Sequence, residues 1–146
     1  MTNPEDAKTN LPDNYFLILV EEVKKISNFS IKKNTFKTQS ELVYRAKEYL
    51  DYNFLNKITI DDLANKLLCS PSLLLHEFKK WTGKTIIEYV LEKKLEIAIH
   101  TIKASKRKFF DISEDVGFSS PQFFYKYFKQ KTGMTPKQYR NKYGYL

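Results

Sequence analysis

Two short stretches carry most of the side chains with which this chain could do chemistry. Ser72, Leu75, His76, Lys79 and Lys80 follow a Ser70-Pro71 pair, and Gln122, Tyr125, Lys126 and Lys129 follow Ser120-Pro121. Steps of three and four place each set along one face of a helix. Their polar tips are mostly hydrogen-bond donors and cations, which suit an acceptor-rich, anionic partner better than bond-breaking chemistry. Catalytic alternatives are poorly supplied. Cys69 is the single thiol and His76 and His100 are the only imidazoles, so an intramolecular disulfide is excluded and a zinc site has little material. Cys69 reads as a small apolar residue and His100 as a solvated one. Neither histidine lies in a nucleophile motif, and the four glycines form no phosphate-cradling loop. No catalytic residue, metal ligand or cofactor is expected.

Charge points the same way. The chain of 146 residues holds 25 Lys and Arg against 17 Asp and Glu, a net charge of +8, which favours a polyanion such as nucleic acid or an anionic membrane. The longest fully apolar run, residues 15–20, is far short of the ~20 residues a spanning helix needs, and no signal segment opens the chain. A soluble, cytoplasmic protein is expected, with no membrane partner. From residue 117 onward Lys126, Lys129, Lys131, Lys137, Arg140 and Lys142 meet no acid, and Lys103, Lys106, Arg107 and Lys108 cluster just before that region.

The elements that must hold these side chains are announced by capping signals. Thr38 with Glu41, Thr59 with Asp62, Thr85 with Glu88 and Thr135 with Gln138 pair a hydroxyl with an acid or amide three places on. Ser70-Pro71 and Ser120-Pro121 set a capping hydroxyl before a proline at the first helical position. Helices are therefore expected near 39–54, 60–67, 71–82, 86–104, 109–116, 121–132 and 136–143. Upstream, residues 1–12 read as a disordered lead-in. A short helix follows from Asp13, with Phe16, Val20, Val23 and Ile26 on one face, able to dock on the domain or to pair two chains into a homodimer; residues 28–37 read as a linker. No stretch alternates as a strand, so the class is all-α, with about seven helices plus the short N-terminal one.

An internal repeat gives the architecture. Ser70, Pro71, Phe78, Lys79, Thr82, Gly83, Thr85 and Tyr89 recur fifty positions on as Ser120, Pro121, Phe128, Lys129, Thr132, Gly133, Thr135 and Tyr139. Upstream the offset is one less, pairing Ile60 with Phe109, Asp62 with Asp111 and Leu63 with Ile112, so the second turn holds one extra residue. Each copy is a helix-turn-helix, whose second helix can enter the major groove of duplex DNA. Residues 1–40 form an arm, short helix and linker, and 41–146 the domain, with helix-turn-helix units at about 59–82 and 109–132. They are joined by a long central helix at about 86–104, in which Ile87, Leu91, Leu95, Ala98 and Ile102 form one apolar stripe. On the second helix of the first unit Leu74, Phe78 and Trp81 are spaced to pack inward. Phe124 and Phe128 do so on its counterpart, turning Pro121, Gln122, Tyr125, Lys126 and Lys129 outward.

The run GFSSPQFFYKYFKQKTGMTPKQYR, residues 117–140, resembles the second helix-turn-helix signature of the AraC/XylS family of bacterial transcription regulators, and the resemblance extends over about residues 41–146. It implies a sequence-specific regulator that binds double-stranded DNA with two recognition helices in successive major grooves. Positions matching Gln122 and Lys126 commonly touch bases in the family; by their chemistry Gln122 suits adenine, Lys126 guanine and Leu75 a thymine methyl. Ser72, His76, Pro121 and Tyr125 complete the candidate base contacts, and Lys79, Lys80, Lys106, Arg107, Lys108, Lys129, Lys137 and Arg140 the candidate phosphate contacts. His76 and Lys126 stand where the family often has arginine, Lys94 replaces a common arginine, Ser113 a common alanine, and Lys108 a usual capping hydroxyl. The rival reading is a protein-interaction module whose helix pairs and aromatic residues meet a partner such as RNA polymerase. Enzymatic activity is not expected: the DNA-repair chemistry fused to some domains of this kind needs cysteines this chain lacks.

Overall fold

A computed structural model describes residues 38–145; the helix expected from Asp13 and its linker lie outside the described residues. The caps read from the sequence form. Backbone N–H groups of Glu41, Asp62, Leu73, Phe123 and Gln138 donate to the hydroxyls of Thr38, Thr59, Ser70, Ser120 and Thr135, and the Thr85–Glu88 and Thr135–Gln138 boxes are reciprocal. They begin seven helices among the described residues: α1 (Gln39–Asn53), α2 (Ile60–Lys66), α3 (Pro71–Thr82), α4 (Ile86–Ala104), α5 (Phe109–Asp115), α6 (Pro121–Thr132) and α7 (Pro136–Tyr143). Only α5 starts without a side-chain cap, because Lys108 occupies the capping position.

Two apolar cores result. Leu42, Ala46 and Leu50 of α1, Leu63 and Leu67 at α2, Leu74 and Phe78 of α3, and Ile86 form the first. The second gathers Leu95, Ala98 and Ile102 of α4 with Ile112, Val116, Phe118, Phe124 and Phe128. Phe54, at the end of α1, belongs to the second core, so the first unit is keyed into its neighbour. Here two expectations are corrected. Ile87 is 64% exposed and Ile86 is buried in its place, because α4 serves two cores and turns a different side to each. Trp81 is 56% exposed, while Glu77 is buried; Trp81 lies beyond the edge of the first core and its indole N–H donates to the Glu77 carboxylate at 3.2 Å.

The repeat survives as paired geometry. The rings of Phe78 and Tyr89 meet edge-to-face with centroids 5.5 Å apart, and Phe128 and Tyr139 do the same at 5.5 Å. Thr82 and Thr132 donate to the carbonyls of Phe78 and Phe128 at 2.7 and 2.8 Å. In the turns, the N–H of Cys69 reaches Ala64 O and that of Phe118 reaches Ser113 O, both at 3.0 Å, and Ser119 is the extra residue of the second turn. Leu68 and Gly117 hold the same left-handed position, at φ 54° and 72°. A leucine is tolerated in the first because it projects into solvent. At Gly117 a β-carbon would stand 3.2 Å from both the Leu55 carbonyl oxygen and Lys94 Nζ, so glycine serves both the turn and the contact between units.

This separates backbone strain from close approach. Gly133 has φ 74° but open space around it, so Gly133→Ala should cost the ~1–2 kcal/mol of left-handed strain alone, and Gly117→Ala distinctly more. Equal losses on thermal or urea unfolding would show that the Leu55 contact carries no weight.

Candidate nucleic-acid interface

Each helix-turn-helix turns one face of its second helix to solvent. On α3, Ser72, His76, Lys79 and Lys80 are exposed and Leu75 is 43% exposed. On α6, Gln122, Lys126 and Lys129 are exposed, Tyr125 is 40% exposed, and Pro121 is half-buried. Tyr125 is steadied by edge-to-face contacts with Phe109 and Phe124 at 6.4 and 5.7 Å. Lys106, Lys108 and Lys137 are also exposed.

Glu77 is the residue that sequence reasoning missed. Its buried carboxylate accepts from Trp81 and lies 3.9 Å from Lys80 Nζ and 3.8 Å from His76 Nε2, so it restrains the base of the α3 face from behind. The only sequence signal was the repeat. The matching position is Tyr127, also buried, with Lys131 over its ring at 5.6 Å. A carboxylate under an indole in one copy is replaced by a phenol under an ammonium in the other.

Two of the expected phosphate contacts, Arg140 and Arg107, also have partners within the fold. Arg140 donates from Nε to Ile102 O at 3.1 Å and from Nη2 to Arg107 O at 2.7 Å, with its guanidinium 4.1 Å from the Phe109 ring centroid. Burial lowers its pKa from the ordinary arginine value. Arg107, whose side chain is 19% exposed, pairs with Asp115. Both are half-buried cations engaged by carbonyls, a carboxylate and a ring, so they tie α4, α5 and α7 together. Sequence spacing cannot reveal this, since the partners lie more than thirty residues away from Arg140.

The relation between the two faces is set at one joint. Lys94 of α4, half-buried and with its pKa pushed down by burial, donates to the Gly117 carbonyl at 2.5 Å. Leu55 and Gly117 approach each other beside it. On another side of α4, Glu92 pairs with Lys84, which follows α3, and lies 3.6 Å from Lys131 in the last turn of α6. The Lys84 ammonium holds the Glu92 carboxyl below the usual carboxylate range, with Lys131 adding to the effect. Tyr89 donates to Asp51 at 2.7 Å, and Lys93 stands 3.2 Å from the same carboxylate, fastening α4 to α1.

Two helix-turn-helix units on a shared central helix, each offering a polar and basic face, define the class as a duplicated helix-turn-helix protein. The helix-turn-helix domain family matches residues 63–142, more than half of the chain. Its relatives include the bifunctional transcriptional activator/DNA repair enzyme AdaA of Bacillus subtilis, 35% identical over 101 residues that cover 69% of this chain and 48% of that protein. This chain thus spans about half the length of that relative. Among solved structures, the C-terminal domain of the response regulator yesN from Fusobacterium nucleatum is 32% identical with a TM-score of 0.58, covering 69% of this chain and 96% of that one. The DNA-binding domain of AdpA, solved with a target DNA, shares the fold at 22% identity and a TM-score of 0.59, over 72% of this chain and 91% of that one. The chain belongs to the AraC/XylS family of helix-turn-helix transcription regulators. No described helix is long and apolar enough to cross a membrane.

The two kinds of cation should part in experiment. Arg140→Ala removes charge-assisted bonds to two carbonyls and should lower folding stability by ~1.5–3 kcal/mol, while Lys137→Ala should stay within ~0.5 kcal/mol of the parent. Thermal unfolding of the two variants decides it; an unchanged midpoint for Arg140→Ala would return that residue to the surface set.

Proposed function

We propose that this chain is a sequence-specific regulator that binds double-stranded DNA through residues 41–146, with α3 and α6 as recognition helices in successive major grooves. The observation that carries the reading is the division within the repeat. Most of the identities shared by the two copies hold the scaffold: serine caps, first-turn prolines, core phenylalanines, threonine-glycine ends and the tyrosines set edge-on to those phenylalanines. The exposed positions differ, with Ser72, Leu75 and His76 on α3 against Gln122, Tyr125 and Lys126 on α6. A duplicated frame presenting unlike donor sets suits two different stretches of base edges. In this reading those six side chains, with the neighbouring Pro121, face bases, and Lys79, Lys80, Lys106, Lys108, Lys129 and Lys137 face phosphates. Arg107 and Arg140 are left out because they are engaged internally.

The dimensions agree. The 19 residues of α4 span ~28 Å at a rise of ~1.5 Å, close to the ~34 Å of one duplex turn, and the joint at Lys94, Gly117 and Leu55 limits freedom between the units. That the AdpA domain, which shares this fold, was solved with a target DNA supports DNA as the partner.

Selection of bound duplexes from a random pool should return two unlike elements about one helical turn apart. Separating them by a further ~5 base pairs, half of the ~10.5 in a turn, should reduce affinity toward that of a single element. A palindrome, or a flat spacing profile for the monomeric protein, would overturn the two-groove reading.

At the level of single residues, Lys126→Ala should cost ~1–3 kcal/mol on the preferred site and relax the preference at particular base pairs of one element. Lys137→Ala should weaken all sequences about equally. Binding of each variant to a panel of single-base substitutions separates the roles, and an unaltered preference in Lys126→Ala would remove it from the readers.

A further inference from the structure

Between the two units runs an apolar groove of about 730 Å³ that the DNA-binding reading does not use. Leu55, Ile58, Ile87, Leu91, Phe118 and Phe123 line it. Ile87 is 64% exposed and Phe123 is 37% exposed, so large hydrocarbon surfaces stand open to water at the joint. Contiguous exposed apolar surface of this kind marks a place where another segment packs. Lys57 and Lys94 stand at the same groove and make it cationic.

The chain itself supplies a matching segment. Phe16, Val20, Val23 and Ile26 recur at helical spacing, with Glu21, Glu22, Lys24 and Lys25 between them. We propose that residues 13–26 of the same chain seat this stripe in the groove, with Glu22 on the flank of the stripe toward Lys57. Reach allows it. Leu50, at one end of the groove, is ~18 Å along α1 from Thr38 at a rise of ~1.5 Å per residue, and residues 28–37 span up to ~33 Å when extended. A segment lying there touches the Leu55–Ile60 loop of the first unit, the start of α4 and the second turn together. It therefore forms a further brace across the joint, independent of whether DNA is bound. A tethered segment also meets the groove at an effective concentration that a free partner reaches only at about millimolar levels.

The test is photo-cross-linking of the full chain without DNA, with Ile87→p-benzoylphenylalanine as the probe, since that side chain is exposed and fills no core. Irradiation should join it to the tryptic peptide of residues 9–24 within a monomer, at a yield independent of protein concentration. Val20→Asp should abolish the cross-link and speed amide exchange over residues 55–60 on the order of tenfold, with the helical circular dichroism retained. A cross-link found only in a dimer-sized product would assign the groove to a second copy and overturn the proposal. The absence of any cross-link to residues 9–24 would overturn it too. Neither result bears on the two-groove reading, which is measured separately with duplexes.

Discussion

What the two exposed helix faces can do together depends on a single point of contact. There the Lys94 ammonium donates to the Gly117 carbonyl while the Leu55 backbone closes from the other unit. The contact joins three parts that are distant in sequence: the end of α1, the central helix and the second turn. A half-buried ammonium is costly to hold without a partner, so the lysine favours the arrangement in which the carbonyl meets it. Phe54, placed in the second core, adds a hydrophobic key beside the polar one.

The carboxylates of α4 reinforce this arrangement from the surface. Glu92 draws Lys84 and Lys131 toward one helix, and the exposed pairs among these are individually weak. Their value lies in geometry. They act where α3 and α6 end, so they bear on how these two helices sit relative to α4. The result is a domain whose units are separately cored yet held in one relation.

Duplication explains how such a frame carries two different surfaces. Hydroxyl caps, a first-turn proline and a left-handed glycine are required by backbone hydrogen bonding whatever the helix recognises, and these are the positions that agree between copies. One buried position is freer: Glu77, beneath the exposed Trp81, and Tyr127, beneath the exposed Lys131, fill matching places by different chemistry. Most solvent-facing positions differ between the copies, Lys79 and Lys129 being shared.

Helix limits, caps, the all-α class and the duplicated helix-turn-helix were legible in the sequence because each is local: a capping hydroxyl bonds three residues away and an apolar stripe repeats every turn. The outward position of Gln122 and Lys126 followed from the same periodicity, and their neighbours Phe124 and Phe128 are buried as that periodicity requires. Periodicity failed where one element serves two neighbours or ends beyond a core, as at Ile87 and Trp81. It also failed for charge. Lys137 and Arg140 share a short basic helix, but only the tertiary structure turns one outward and encloses the other among carbonyls of residues 102 and 107. The sequence by itself determined where the described helices begin and end and which side chains of α6 turn outward; the packing of distant segments decided the sides that α4 and the end of α3 bury and which cations gain internal partners, because those outcomes rest on contacts between residues that no local pattern relates.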